Sequence, residues 1–299
     1  MDASAESGRV PSALVLGGQG RLGRALVNEL LRRGFAVHTL EKHKDSDCLT
    51  VFSAEELTER VTRLQPQYVF NAMAWTDIDA AEANPEAAAA VNTSLPALIG
   101  RVLRGNAARL VHFSTSYVFD GRKGSPYTER DIPNPISVYG QTKLDGEREL
   151  LNLNLPGCLI IRGAWLFGPG GDSTVAKLLT DARTNTKISM AHDFVGSPTY
   201  TPDMAFASVE LAQRGASGLF NVANSGQASL CEFAAEAVRL ANLTAKISAH
   251  TRADVPDVPP RPMYSVLDCT KYMTFTGLSL RPWAQALREL VYSMFLETD

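Results

Sequence analysis

Three glycines, Gly17, Gly20 and Gly23, lie between a strand-length apolar run and an amphipathic segment, and this junction constrains the fold more than any other stretch. Ala13-Leu14-Val15-Leu16 is the apolar run. Leu22, Leu26 and Leu30 then recur at helical spacing as far as Gly34, which reads as a C-cap. Ala36-Val37-His38-Thr39-Leu40 supplies a second strand that ends at Glu41, completing a β-α-β unit. Glycine at such a junction permits a tight turn, close approach of a pyrophosphate to backbone N–H groups, and close helix–strand packing. The spacing is G-x-x-G-x-x-G, not the commoner G-x-G-x-x-G. A glycine pattern alone is weak, since a plain tight turn explains it as well. Flanked by a strand, a helix and a terminal acid, it predicts a dinucleotide site.

Glu41 stands some ~20 residues past the glycines, where an acid accepts the adenosine ribose hydroxyls. A carboxylate there repels a 2′-phosphate, so NADH is preferred to NADPH as the cofactor. Lys42, His43 and Lys44 follow at once. They read either as positive charge that softens the repulsion or as a solvated loop cluster.

Further α/β alternation follows. Ser53 caps a helix to Leu64, Gln65-Pro66 stops it, and Tyr68-Val69-Phe70 is a strand running into Asn71-Ala72-Met73-Ala74. Ligands of parallel sheets lie outside these carboxyl ends, which favours short side chains there. Ala80 to Val91 reads as a helix, and Asn92 leads into another through Arg104. Leu110-Val111-His112-Phe113 is a strand ending in the hydroxyl-rich Ser114-Thr115-Ser116-Tyr117. His112 reads as a packed strand residue, not a catalyst.

Pro126 to Pro135 is a Pro-punctuated loop that delivers the chain to Val138-Tyr139-Gly140-Gln141-Thr142-Lys143. Tyr139 and Lys143, four apart, share one helical face. A free phenol titrates near pH ~10. A neighbouring ammonium is expected to pull that value down, towards the range of a working general acid. A solvated helix carrying both residues by chance would read the same from this stretch alone.

The net charge of -3 over 299 residues offers no basic excess for phosphate backbones, so nucleic acid is not an expected partner. No apolar run approaches the ~20 residues needed to cross a bilayer. Cys48, Cys158, Cys231 and Cys269 lack metal-ligand spacing and read as free thiols in a reducing compartment. Residues 1–11 are small and polar, without an apolar signal-peptide core, and are expected to form a disordered tail. A cytoplasmic protein is the expectation.

Gly17-x-x-Gly20-x-x-Gly23, Asn71-Ala72-Met73-Ala74, Thr115 and Tyr139-x-x-x-Lys143 together resemble an extended short-chain dehydrogenase/reductase. Within that superfamily the chain is most similar to the dTDP-4-dehydrorhamnose reductase family. Ser114 to Gly121, Pro126-Tyr127-Thr128-Glu129, Val138 to Glu147, Arg162 to Gly168, Gly196-Ser197-Pro198-Thr199 and Arg261 to Asp268 carry the likeness, which spans about residues 12–290. The resemblance implies that Tyr139 donates a proton, that Lys143 is its electrostatic partner and a ribose contact, and that Thr115 bonds the C4 carbonyl of a sugar. It implies cofactor contacts at Gly17, Gln19, Gly20, Arg21, Leu22, Gly23, Glu41, Ala72, Met73, Ala74, Ser114, Tyr139 and Lys143. Substrate contacts fall to Thr115, Ser116, Tyr117, Trp165 and Arg261, with Trp165 offering a flat face to a deoxysugar ring.

Three departures qualify this. Ser116 stands where the family usually has Asp, which removes a charge beside the sugar. Val51 stands near an acid that many relatives keep on the adenine side. Ala25 replaces a glutamate of relatives with a Mg-linked dimer, so no metal is expected; the resemblance leaves a homodimer open.

The implied fold is α/β, a doubly wound parallel sheet of Rossmann type with a smaller C-terminal substrate-binding lobe. Residues 12–165 would bind NAD(P), with a strand near 218–223 returning to that sheet, and 166–299 would mainly bind a sugar nucleotide. In that part, Leu159 to Arg162 reads as a strand. Thr174 to Thr184, Leu230 to Asn242 and Pro282-Trp283 to Phe295 read as helices, with Trp283 as core. Pro256 to Pro262 reads either as a loop closing over the sugar, with Arg261 on a diphosphate, or as a plain linker. The implied reaction is reduction of the C4 ketone of a dTDP-4-keto-6-deoxysugar by NADH or NADPH. A dehydratase is disfavoured because Ser116-Tyr117 lacks the Asp-Glu pair of that group. The alternatives are a non-catalytic scaffold similar to the regulatory β subunit of methionine adenosyltransferase, or another sugar-nucleotide reductase or epimerase.

Overall fold

The computed structural model describes residues 10–41, 52–170, 173–251 and 259–296. Most of the expected tail, the Lys42-His43-Lys44 cluster, Cys48, Val51 and the first three residues of the Pro256–Pro262 run lie outside the described residues. Five strands alternate with helices through the first half: β1 (Ser12–Leu16), β2 (Ala36–Leu40), β3 (Tyr68–Asn71), β4 (Arg109–Thr115) and β5 (Leu159–Gly163). The strand Gly218–Asn221 returns to pair with β5, giving a sheet ordered returning strand, β5, β4, β3, β1, β2. All five pairings are parallel.

A parallel sheet must be covered on both faces, and β1 shows how the sequence achieves it. Its side chains alternate between two cores. Ala13 and Val15 join Leu22, Leu26 and Leu30 of helix α1 (Arg21–Arg32) together with residues of the helix Thr201–Gln213. Leu14 and Leu16 face Leu57 and Val61 of the helix Ala54–Leu64, and Ile99 and Leu103 of the helix Leu95–Leu103. Each of those four β1 residues is fully buried. A third core joins the helices Thr174–Thr184, Leu230–Leu240 and Trp283–Leu296, with Trp283 packed at its edge.

Several boundaries follow from local chemistry. Ser53 accepts a hydrogen bond from the Glu56 N–H, and Ser229 forms a reciprocal capping box with Glu232. Gly34 follows α1 with φ +80, the left-handed geometry that glycine tolerates best. The stretch expected as one helix from Ala80 to Val91 is instead two short helices, Ile78–Ala83 and Pro85–Ala89, followed by a π-turn at Ala90–Ser94. Pro85 lacks the N–H that would continue the first helix, so it starts a new one. Pro11 is tied down at its carbonyl, which accepts from the Ala36 N–H at 2.8 Å, so the chain is ordered one residue before β1.

Candidate active site

The order of strands reverses between β2-β1 and β3-β4, so a crevice opens beyond the carboxyl ends of β1 and β3. The glycine turn sits in that crevice. A Cβ at Gly23 would lie 1.9 Å from the Gly17 carbonyl oxygen, so only glycine lets α1 start this close to the turn. No side chain caps the N-terminus of α1 at Gly20, which leaves first-turn N–H groups directed where an anion can bind. Gln19 is exposed, Arg21 donates from Nη1 to the Leu166 carbonyl at 3.3 Å, and the Leu22 side chain is buried in the core. Only the backbone of Leu22 therefore faces the turn.

Glu41 does more than end β2. Its Oε1 accepts the Gln19 N–H at 3.1 Å. Burial raises its pKa from the usual carboxylate value, while hydrogen bonds from the Gln19 and Gly18 backbone oppose that rise. The carboxylate thus braces the glycine turn from the end of β2. Across the crevice, Asn71 Oδ1 accepts the Met73 N–H at 3.2 Å, and Asn71 Nδ2 lies 3.1 Å from His112 Nδ1. This fixes the course of Asn71-Ala72-Met73-Ala74, in which Ala74 is exposed. His112 is fully buried and its pKa falls well below the ordinary imidazole value, first through burial and then through the charge of Lys143. It is neutral near pH 7.

Tyr139 and Lys143 lie on the helix Val138–Asn152. Its start is fixed twice: Ser137 accepts the Gly140 N–H at 3.1 Å, and Glu82 accepts the Val138 N–H at 2.7 Å. A Cβ at Gly140 would meet the Tyr117 carbonyl oxygen at 2.2 Å, so glycine allows the helix to press against the turn after β4. Lys143 is 1% exposed and donates to the Phe113 carbonyl at 2.5 Å. Burial brings its pKa down to about 8, and Glu147 pulls it back upward. Thr115 Oγ1 accepts the Tyr117 N–H at 3.2 Å, and the Thr115 side chain acts on the Tyr139 phenol to favour its ionised form.

The phenol departs from the expectation that its ammonium neighbour makes it acidic. Burial raises the Tyr139 pKa, and Thr115 is what opposes the rise. Lys143 spends its short hydrogen bond on Phe113, so the phenol stays protonated at neutral pH. A proton donor requires that state.

Around Tyr139 the wall is aromatic. The Tyr117 and Tyr139 rings meet edge to face at 5.6 Å, and Trp165 stacks on Phe194 at 5.1 Å. Ile78, Leu230 and Met263 complete this cluster. Trp165 has φ +44, a left-handed backbone that a bulky residue adopts only under constraint. Its indole N–H, Ser114 Oγ and Ser116 Oγ are buried without a hydrogen-bond partner. Buried polar atoms rarely stay unpaired, and these three lie at the end of β4 and just after β5. Ser116 is fully enclosed, so its side chain does not line an open surface as a substrate contact would. Arg261 pairs with Asp79 at 2.7 Å, near Ile78 and Met263.

Two residues that the sequence did not single out hold the parts together. Asn92, in the π-turn, accepts the Trp75 N–H at 2.9 Å and donates to the Trp75 carbonyl at 3.0 Å and to Thr142 Oγ1 at 3.2 Å. Glu82 caps the Tyr–Lys helix from the helix Ile78–Ala83. The position of Asn92 at the start of a helix, with a polar side chain amid alanines, was the available signal.

The RmlD substrate binding domain model matches residues 12–295. A dTDP-4-dehydrorhamnose reductase of Streptomyces griseus is 36% identical over 93% of this chain and 92% of its own length. The crystal structure of a Clostridium acetobutylicum dTDP-4-dehydrorhamnose reductase superposes with a TM-score of 0.88 at 30% identity, covering 95% of this chain and 99% of that one. A Bacillus anthracis dTDP-4-dehydrorhamnose reductase in complex with NADP gives a TM-score of 0.88 at 26% identity, covering 95% and 100%. With the glycine crevice, the buried lysine and the Thr115–Tyr139 pair in one α/β fold, this chain belongs to the dTDP-4-dehydrorhamnose reductase family of oxidoreductases.

Proposed function

We propose that this protein reduces the C4 ketone of a dTDP-4-keto-6-deoxysugar, using NADH or NADPH, in the manner of dTDP-L-rhamnose synthesis. The residues present fit a dinucleotide: the uncapped start of α1 can hold a pyrophosphate, and the short side chains of Ala72 and Ala74 after β3 leave room at the carboxyl edge of the sheet. When bound, the nicotinamide supplies the hydride that C4 receives. Thr115 orients the ketone oxygen through its hydroxyl. Tyr139 gives its phenolic proton to that oxygen as negative charge develops there, turning C=O into CH–OH. The Lys143 ammonium stabilises the phenolate left behind, and the dry surroundings strengthen that interaction.

The observation that carries this reading is the Thr115 side chain beside the Tyr139 phenol, on a helix whose next turn carries a fully buried Lys143. Trp165, held in a strained backbone with an unpaired N–H, supports a sugar-ring platform. Arg261 supports diphosphate binding once it exchanges Asp79 for a phosphate. Residues 12–165 form the cofactor domain in this reading, and 166–299 mainly the sugar-nucleotide lobe. NADH is preferred because Glu41 faces the ribose side. The protein is assigned to the cytoplasm, where both cofactors and free thiols occur.

The test is cofactor oxidation, followed at its nicotinamide absorbance, with a panel of 4-keto-6-deoxysugar nucleotides. Wild type should turn over at least one of them, and Tyr139→Phe should be slower by ~100-fold or more. Equal rates in the two proteins would remove Tyr139 from the chemistry.

A further inference from the structure

One helical turn beyond Lys143, on the same face, Glu147 is clamped by Arg162 of β5. Arg162 Nε donates to Oε1 at 2.8 Å and Nη2 to Oε2 at 2.6 Å. The two side chains are 2% and 1% exposed. Desolvating such a pair offsets much of its attraction, and an apolar pair of like volume would join helix to strand about as well. Packing alone therefore gives no reason for charges at this spot. A third charge, on Lys143, occupies the same dry volume. Arg162 also lies over the Phe119 ring at 5.1 Å, while its Nη1 has no hydrogen-bond partner, so Glu147 is the anion it serves.

We propose that Glu147 is a positioning residue that keeps Lys143 charged, and that Arg162 acts through Glu147 by holding its carboxylate away from direct contact with the ammonium. The inference rests on the role given to Lys143 above, but not on which sugar is reduced. Lys143 is removed from water and so tends to lose its proton, and Glu147 is the group that counters this loss. Other ionisable groups stand on the elements packed against this helix: His112 on β4, Tyr117 after it, Asp79 and Glu82 on Ile78–Ala83, Glu86 on Pro85–Ala89, and Arg101 on Leu95–Leu103. Among these, His112 senses Lys143, and it is neutral. Asp79 and Glu82 are engaged elsewhere, with Arg261 and the Val138 N–H. Glu147 is thus the anion that Lys143 feels.

The proton affinity of Lys143 can be read without substrate, by titrating the intact protein labelled with 13Cε-lysine and following the signal that disappears in Lys143→Arg. Glu147→Gln should lower the midpoint by about one pH unit or more. Arg162→Met frees the carboxylate to approach Lys143 and should raise it. Each single change strands a buried charge and could prevent folding. The double variant Glu147→Gln/Arg162→Met removes both members of the clamp, so neither is left facing an unpaired partner, and its midpoint should also fall below wild type. In cofactor oxidation, the alkaline limb of kcat/KM should move the same way as each midpoint. A double variant titrating at or above the wild-type midpoint overturns the role of Glu147. An Arg162→Met midpoint that is unchanged or lower overturns that of Arg162. Absence of turnover with every keto sugar would defeat the reductase reading while leaving these titrations interpretable.

Discussion

Thr115 and Tyr139 meet side chain to side chain across the gap between the end of β4 and the helix that follows it. The Thr115 hydroxyl oxygen accepts the Tyr117 N–H, which orients it. Thr115 opposes the effect of burial on the phenol, and burial prevails. The hydroxyl therefore positions a protonated phenol and does not create a phenolate.

Thr115→Val keeps the shape of the side chain and removes the hydroxyl that accepts the Tyr117 N–H and acts on the Tyr139 phenol. Turnover should fall by about 10- to 100-fold. The stranded, buried Tyr117 N–H should reduce stability by about 1–3 kcal/mol. Steady-state kinetics and urea unfolding separate the two effects.

Glu41→Gln retains an acceptor for the Gln19 N–H but removes the charge. The ratio of kcat/KM for NADPH to that for NADH should rise about tenfold, corresponding to ~1.4 kcal/mol of relieved repulsion. A ratio that stays at the wild-type value would place the adenosine ribose away from Glu41.

His112 makes stability depend on acid pH. Unfolded, it binds a proton near 6.5; folded, it does so only well below that. Between those two values the unfolded chain holds more protons, so stability drops as pH falls below about 6.5, by up to about 1.4 kcal/mol per pH unit. Urea unfolding of wild type and His112→Asn across pH 7.5 to 5 should show a shallower acid loss in the variant.

Gly196→Ala would place a methyl group 2.4 Å from Trp165 Cε2. The indole must then move away from its stack on Phe194. Substrate KM should rise severalfold, with a smaller change in kcat, because the ring platform binds and does not react. Binding of the cofactor alone, followed by fluorescence, should match wild type.

Local patterns made the first half of the fold readable. The glycine turn, the apolar run of β1 and the Ser53 cap each depend on residues within a few positions of one another. The strands Lys187–Ala191 and Lys246–His250 escaped notice because both are polar and half-exposed, and they stabilise each other by backbone pairing. Within the site, Tyr139, Lys143 and Thr115 were legible from spacing and resemblance, but their electrostatics were not. A sequence shows an ammonium near a phenol; it does not show that a carbonyl on β4 takes the ammonium first. Asn92 was hidden for a related reason. Its partners Trp75 and Thr142 lie 17 and 50 residues away.

The widened turn at Ala90–Ser94 has an evolutionary corollary. One surplus residue is stored there, at the hub where Asn92 clasps two distant segments. Deleting Thr93 would take out the surplus residue and restore ordinary winding with the helix downstream kept in phase, but it would remove the local geometry from which Asn92 reaches Trp75 and Thr142. The neighbouring loop at 104–108 could lose a residue without that loss. Length variation among descendants of this chain should therefore accumulate in the loop and spare the turn.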